Sequence, residues 1–434
     1  MEGIPQMDKG PVLVQAKPLL ADRLRSFNHG IKAAEPDLQA WAWTAAEVEN
    51  VPGRQISGVA PPLKDLLFGV KDIIDVAGMP TKNGCRAYEQ AELKQADAAC
   101  VAMLRDAGAI PIGKTVTAEL AYAEPGPTRN PWNTEHTPGG SSSGSAAAVA
   151  AGMVPFALGT QTGGSIIRPA AYCGVVGFKA SRGAVSLSGV KSISESFDSL
   201  GWFTRSVDEA ITVGHVLLPN EACSAGATAN LKLGVLTQLG PADIDPESIE
   251  SLSGVAQILS VAGYRIEPAR LPIDLEQVHF LHRKIMTHEM YRNFAYERLQ
   301  FKDKLGKATL SALDEGAAVS TTEYVHCLSR LRQLTVRATD ELLKFDAILT
   351  YSAPGPAPLG LNRTGNSSCN RVWSALGSPA LHLPTGLTHR GLPIGVQLVT
   401  TPWNDMRLLE IGLRLHRALN WQPEWPQPLA TAAS

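Results

Sequence analysis

Three short segments carry residue types that could perform acyl chemistry. In the first, GVKDIIDVAGMPTKNG (69–84), Lys71 interrupts the apolar run LLFGVKDIID. Lysine is seldom buried without a partner or a task, and burial disfavours the ammonium and lowers its pKa, which is what a lysine base requires. Taken alone, this segment reads equally well with Lys71 paired to Asp72 or Asp75, or turned to solvent. In the second, TPGGSSSGSAAAVAAG (137–152), two glycines precede Ser141 and open backbone conformations closed to other residues. The third, LGTQTGGSIIRPAAYCGVVGFK (158–179), sets Thr162, Gly163, Gly164 and Ser165 in a row, four successive N–H groups with little side chain in the way. Such a turn can aim several donors at one oxyanion, and it can equally be a tight glycine turn without catalysis.

Two better-known patterns also occur, one of them inside the second segment. GAIPIGKT (108–115) satisfies the letter of the phosphate-loop pattern GxxxxGK(S/T). Its interior is strand-like, however, and Pro111 has no N–H to offer a phosphate, so a buried strand entering a loop is the better reading. Gly140 to Gly144 satisfies GxSxG around Ser142. A nucleophile elbow needs a hydrophobic strand directly before its serine, and what precedes here is the loop-like RNPWNTEHTPGG. The six cysteines are scattered without a CxxC pair, which suits free thiols and neither a disulfide frame nor a zinc site.

Jointly and in this order, the three segments resemble the amidase signature family, and KNGCRAY, GKTVTAELAY, RNPWN, GSPALHLPTG and GLPIGVQLV extend the resemblance over most of the chain. The resemblance implies an α/β fold, a twisted mixed β-sheet covered by helices on both faces. It implies hydrolysis of C–N bonds in small amides, without metal or cofactor, and with anilides, carbamates, esters or carboxylate-bearing amides as variants. It puts the catalytic lysine on Lys71, the cis-peptide serine that relays protons on Ser141 and the nucleophile on Ser165, with the oxyanion hole at Thr162, Gly163 and Gly164.

Two positions depart from the family pattern. Gln161 stands where an Asp is frequent, and Ile167 where an Arg is frequent, Arg168 following one residue later. That variant, with TGNSSCNRVWSALGSP (364–379), is similar to the malonamidase-like branch and also to aryl-acylamidases and urethanases. It implies that Arg168 grips a substrate carboxylate, a task the guanidinium fork suits. A structural ion pair is the other reading, although no acidic residue lies near Arg168 in sequence. Pro169 is expected to hold Arg168 in an extended backbone.

The elements that must position these residues show in the texture of the chain. From 61 to 205, strand-like runs (LLFGVKDI, AIPIGKT, FALGTQT, VVGFKAS) alternate with helical patches (DAACVAMLRDAG, SAAAVAAG), the pattern of α/β architecture. Residues 18 to about 50 read as helical, with Leu19, Leu20, Leu24, Phe27 and Ile31 on one stripe. A charged, helical zone spans about 245–345. A second strand-and-glycine zone and a terminal amphipathic helix, MRLLEIGLRLHRAL, follow it. The two glycine-rich zones should build one sheet, making residues 1–434 a single domain with a helical insert.

Composition fits that picture. The 434 residues are 44% hydrophobic and 18% charged, with a formal charge of −2 and a pI near 6.6. Nothing in that balance calls for nucleic acid or an anionic membrane as partner. The N-terminal MEGIPQMDKGPVLVQ lacks the apolar run of a secretory signal, and the location expected is the cytoplasm. A small amide-like substrate is the expected partner, with homodimerisation left open. Two other functions fit the same resemblance: the A-type subunit of a tRNA-dependent amidotransferase, and a non-catalytic binding protein of the same fold.

Overall fold

A computed structural model describes residues 20–44, 61–219, 231–240 and 243–426. Eleven strands form one mixed sheet: β1 (Trp41–Thr44), β2 (Leu67–Lys71), β3 (Ile110–Thr115), β4 (Phe156–Gln161), β5 (Val176–Lys179), β6 (Ser199–Thr204), β7 (Lys232–Val235), β8 (Arg265–Pro268), β9 (Ala347–Tyr351), β10 (Ala380–Leu387) and β11 (Pro393–Val399). Their order across the sheet is β1-β3-β2-β4-β6-β5-β10-β11-β9-β7-β8. The β3-β2-β4 and β9-β7-β8 groups run parallel, and the strands between them pair antiparallel. Both glycine-rich zones therefore contribute to the same sheet.

Twelve helices accompany it among the described residues: α1 (Leu20–Leu38), α2 (Ala99–Asp106), α3 (Ser143–Ala150), α4 (Ile167–Cys173), α5 (Val207–Leu217), α6 (Pro246–Val261), α7 (Leu275–Asn293), α8 (Ala295–Gln300), α9 (Lys307–Ala317), α10 (Thr321–Leu342), α11 (Ser368–Leu376) and α12 (Asp405–Leu419). They cover both faces. Gly177 of β5 approaches Ala170 of α4 so closely that a Cβ would lie 2.4 Å from it. Leu381, opposite Phe178 and so one register position away, instead meets Gly412 of α12. Side chains alternate across a strand, so α4 and α12 lie on opposite faces. The parallel strands are buried on both sides, which explains why β2, β3 and β4 read as nearly continuous apolar runs. No helix among the described residues is long and apolar enough to cross a membrane.

Two element boundaries differ from the sequence reading. The first helix ends at Leu38, and Trp41–Thr44 is a strand pairing with β3 at the sheet edge. Pro36 lies in the last helical turn, and the Glu35 carboxylate then accepts the N–H groups of Ala40 and Trp41 at 2.9 and 2.8 Å, turning the chain. Phe27 is buried while Leu24 and Ile31 are half-buried against the core; Leu19 and residues 45–60 lie outside the described residues, as does the N-terminal stretch. The charged zone, in turn, is not wholly helical: β8 extends the sheet between α6 and α7.

Candidate active site

The three segments meet at the C-terminal ends of β2 and β4. Lys71 is the last residue of β2 and is fully buried. Its Nζ lies 2.8 Å from Ser141 Oγ, 2.8 Å from Thr160 Oγ1 and 3.4 Å from Thr160 O. No carboxylate among the described residues touches it. Asp72 pairs with Lys114 at 3.1 Å and Asp75 with Lys94 at 3.3 Å, so neither of the acids adjacent in sequence serves Lys71. Burial holds its pKa well below the ordinary lysine value, with the more distant charge of Asp198 acting the other way.

Ser141 follows a cis peptide bond from Gly140 and is also fully buried. Gly139, two residues earlier, has φ +84°, and a Cβ there would lie 2.9 Å from the Pro169 backbone; only glycine takes the chain through this corner. The Ser141 carbonyl accepts the Ala118 N–H at 3.0 Å, and the next N–H, of Ser142, donates to the Ser165 carbonyl at 3.3 Å. That bond joins the two serine segments side by side. Ser165, at 8% exposure, is the least buried of the three candidates, Lys71 and Ser141 standing at 0%. A nucleophile must meet substrate, whereas a base and a relay work best dry.

The turn from Thr162 to Ser165 links β4 to α4, and its carbonyls are held by the protein. His282 Nε2 donates to Thr162 O at 2.9 Å, Ser374 Oγ to Gly163 O at 2.9 Å, and Arg168 N to Gly164 O at 3.0 Å. Across a trans peptide the N–H points away from the preceding carbonyl. The N–H groups of Gly163, Gly164 and Ser165 therefore face the other way, and they donate to no acceptor among the described residues. Gly164 admits no side chain, since a Cβ would lie 2.7 Å from Asn370 Oδ1 and 2.8 Å from Ser367 Cβ.

Sequence reasoning missed the supports of this turn. Thr162 Oγ1 donates to Asp198 Oδ1 at 2.6 Å, and Asp198 Oδ2 accepts from Ser192, Ile193 and Ser194. Burial outweighs these bonds and raises the Asp198 pKa. His282 is buried and stacked on Phe197 at 4.2 Å between centroids; burial, then the charge of Arg371, lowers its pKa to about 3, so it stays neutral. Gln161, the departure from the frequent Asp, uses its Oε1 to accept the N–H groups of Ile166 and Ile167 at 2.9 and 3.1 Å, and its Nε2 to reach Ser374. An amide can do both jobs at once; a carboxylate could only accept. Asp198 and His282 come from remote segments without a local motif, whereas Ser374 lies within the TGNSSCNRVWSALGSP segment, where nothing in the sequence ties it to the turn.

Arg168 is placed differently from expectation. It lies inside α4, not in extended backbone, because Pro169 occupies the first turn, where a missing N–H costs no helical bond. Its Nη2 and Nε donate to Gly140 O at 2.6 and 3.2 Å, and its Nη1 donates to Gly365 O at 2.6 Å. No acid among the described residues pairs with it, and burial lowers its pKa to about 10. The guanidinium thus holds the carbonyl of the residue directly before Ser141.

Lys114 of the GAIPIGKT segment is buried within β3 and bonded to Asp72, Thr81 and Pro80 O, as befits a strand and not a phosphate loop. Ser142 exchanges hydrogen bonds with the Thr160 backbone at 3.2 and 3.4 Å. The five described cysteines are free and buried.

Comparison with known proteins bears on the chain as a whole. The family model described as Amidase matches residues 19–409. The A-type subunit of the glutamyl-tRNA(Gln) amidotransferase of Roseiflexus sp. (strain RS-1) is 30% identical, over 91% of this chain and 92% of its own. The putative amidase AmiA2 of Mycobacterium bovis is also 30% identical, over 93% and 91%. Among solved structures, the peptide amidase of Stenotrophomonas maltophilia superposes with a TM-score of 0.80 at 27% identity, covering 94% of this chain and 95% of that one.

Proposed function

Because this chain belongs to the amidase family and is an amidohydrolase, we propose that it cleaves small amides as a serine hydrolase, with Ser165 as nucleophile, Ser141 as proton relay and Lys71 as base. The observation that carries this reading is the set of partners around Lys71 Nζ. A neutral amine has two N–H bonds and one lone pair. Thr160 Oγ1 and Thr160 O can take the two hydrogens, which leaves the lone pair for the hydroxyl of Ser141. A serine hydroxyl is a weak nucleophile without such a base.

In the reaction, Ser141 gives its proton to Lys71 and takes one from Ser165, whose Oγ attacks the amide carbonyl. The free N–H groups of the Thr162–Ser165 turn hold the oxyanion, each worth roughly 3 kcal/mol in the transition state. The relay then runs in reverse to protonate the leaving nitrogen, and water releases the acyl group from Ser165. Arg168 acts through the Gly140 carbonyl, fixing the peptide that presents Ser141. We therefore assign it this positioning role in preference to the carboxylate-binding role that the resemblance implied, three of its donors holding backbone carbonyls.

A fluorophosphonate probe followed by peptide mass mapping tests the assignment. The adduct is expected on Ser165 and absent from Ser165→Ala; an adduct on Ser142 instead overturns it. The equal identity to one chain of an amidotransferase supports a second reading, a protein that works within a larger complex. Turnover of simple amides by the purified chain alone favours the hydrolase; activity only after adding partner chains favours the complex. The near-neutral charge supports a small-molecule partner over an RNA surface, and a cytoplasmic location goes with the same reading.

A further inference from the structure

α11 turns a polar face to the catalytic glycine turn. Ser374 bonds Gly163 O, while Ser367 and Asn370 pack where a side chain on Gly164 would be. Arg371 stands on the same helix, half-buried, and its Nη2 reaches Ser367 Oγ at 3.2 Å. That hydroxyl is its hydrogen-bond partner among the described residues, and no carboxylate among them forms an ion pair with it. A guanidinium carries five N–H donors in a rigid fork, and burial of such a charge without a counter-ion is costly. The groups around it do not neutralise it. Arg283 is itself a cation, paired with Glu315 at 2.7 Å, and His279 and His282 are kept neutral by burial. Asp198 is filled by Thr162, Ser192, Ile193 and Ser194.

We infer that Arg371 is the specificity-determining residue that receives an anionic group of the substrate, so that the preferred substrates are amides bearing a carboxylate a few bonds from the scissile carbonyl. This rests on the serine-hydrolase reading above and assigns the task to Arg371, whose one hydrogen bond among the described residues goes to a hydroxyl, instead of Arg168, three of whose donors hold two backbone carbonyls. A planar carboxylate matches the fork bidentately, and it would supply the missing counter-charge one hydroxyl away from the oxyanion turn.

The test uses a matched pair, succinamate and its neutral isostere 4-methylpentanamide. The wild type is expected to prefer succinamate by tenfold or more in kcat/KM. In Arg371→Gln that preference should fall roughly 10- to 100-fold, mainly through KM, and Arg371→Lys should restore part of it. An unchanged preference in Arg371→Gln overturns the assignment, as does equal loss on both substrates, which would make Arg371 a general stabiliser of the oxyanion. Should Arg371→Gln fail to fold, competition in the wild type decides: against a common reporter substrate, succinamate must compete more tightly than 4-methylpentanamide, and parity refutes the proposal. Fluorophosphonate labelling separates the two levels. A labelled Ser165 with no charge preference defeats only the role of Arg371, whereas an unlabelled Ser165 defeats the reading beneath it.

Discussion

The neighbouring strands β2 and β3 each bury a lysine, and the two surroundings differ in one respect. Val70 lies opposite Lys114 and Lys71 opposite Thr115, so the lysines point to opposite faces of the same parallel pair. Asp72, one residue after Lys71, shares a face with Lys114 and pairs with it at 3.1 Å, with Thr81 Oγ1 and Pro80 O completing the shell. On the other face Lys71 finds, among the described residues, only hydroxyls and one carbonyl. Burial pulls both lysines below their ordinary pKa, but only at Lys114 does an adjacent carboxylate oppose it directly. Alternation along a single strand thus separates a structural ion pair from a candidate base using consecutive residues.

The sharpest way to break this comparison is to remove what the Lys71 face is proposed to activate. Ser165→Ala should lower kcat for any amide by on the order of 10⁴-fold or more, while Ser142→Ala keeps a measurable fraction. Retained turnover in Ser165→Ala with loss in Ser142→Ala would return the site to the elbow reading.

Lys71→Met comes next, with an expected fall in amide kcat of roughly 10³-fold and a smaller fall for an activated ester, whose leaving group needs no proton. In the wild type, kcat/KM should rise with pH as Lys71 loses its proton and then level off. Its folded pKa lies below the unfolded value, so between the two the unfolded chain binds more protons and stability also rises with pH. Both slopes should flatten in Lys71→Met. An alkaline limb that survives in the variant assigns the titration to another group.

Lys114→Met should do the reverse. It leaves Asp72 buried beside a vanished cation, costing about 3–5 kcal/mol of stability, while kcat per folded molecule changes little. Denaturant unfolding and active-site titration together check this. A stable Lys114→Met with impaired chemistry would erase the distinction between the two faces.

How far the sequence discloses all this depends on contiguity. Lys71, Ser141 and the Thr162–Ser165 turn each lie in an unbroken motif whose glycines declare an unusual backbone, so the segments are legible before any fold is known. Their choice of partners is not. Asp72 looked as available to Lys71 as to any other group until strand register assigned it to Lys114. Arg168 looked like a charge in need of a charge, but its partners are two backbone carbonyls from residues 140 and 365, which no side-chain pattern records. Asp198 and His282 reach the turn through tertiary packing alone. The sheet itself is legible from alternating apolar runs, whereas Trp41–Thr44 is too short to show its own period and reads as part of the preceding helix.

The finest test concerns the acceptor that orients Lys71. Thr160 Oγ1 takes one hydrogen of the amine at 2.8 Å, and the same contact is stronger when the amine is charged, because a charged donor makes the better bond. Thr160→Val removes it in a nearly isosteric side chain. Two consequences have opposite signs. The ammonium loses more stabilisation than the amine does, so the alkaline limb of kcat/KM should move to lower pH. The lone pair is no longer held towards Ser141, so the plateau rate should fall, by about tenfold. Thr160→Ser keeps the hydroxyl and should restore both. A limb moving to higher pH, or an unaltered profile, would show that Thr160 does not orient the amine, and the partner geometry around Lys71 Nζ would lose its mechanistic meaning.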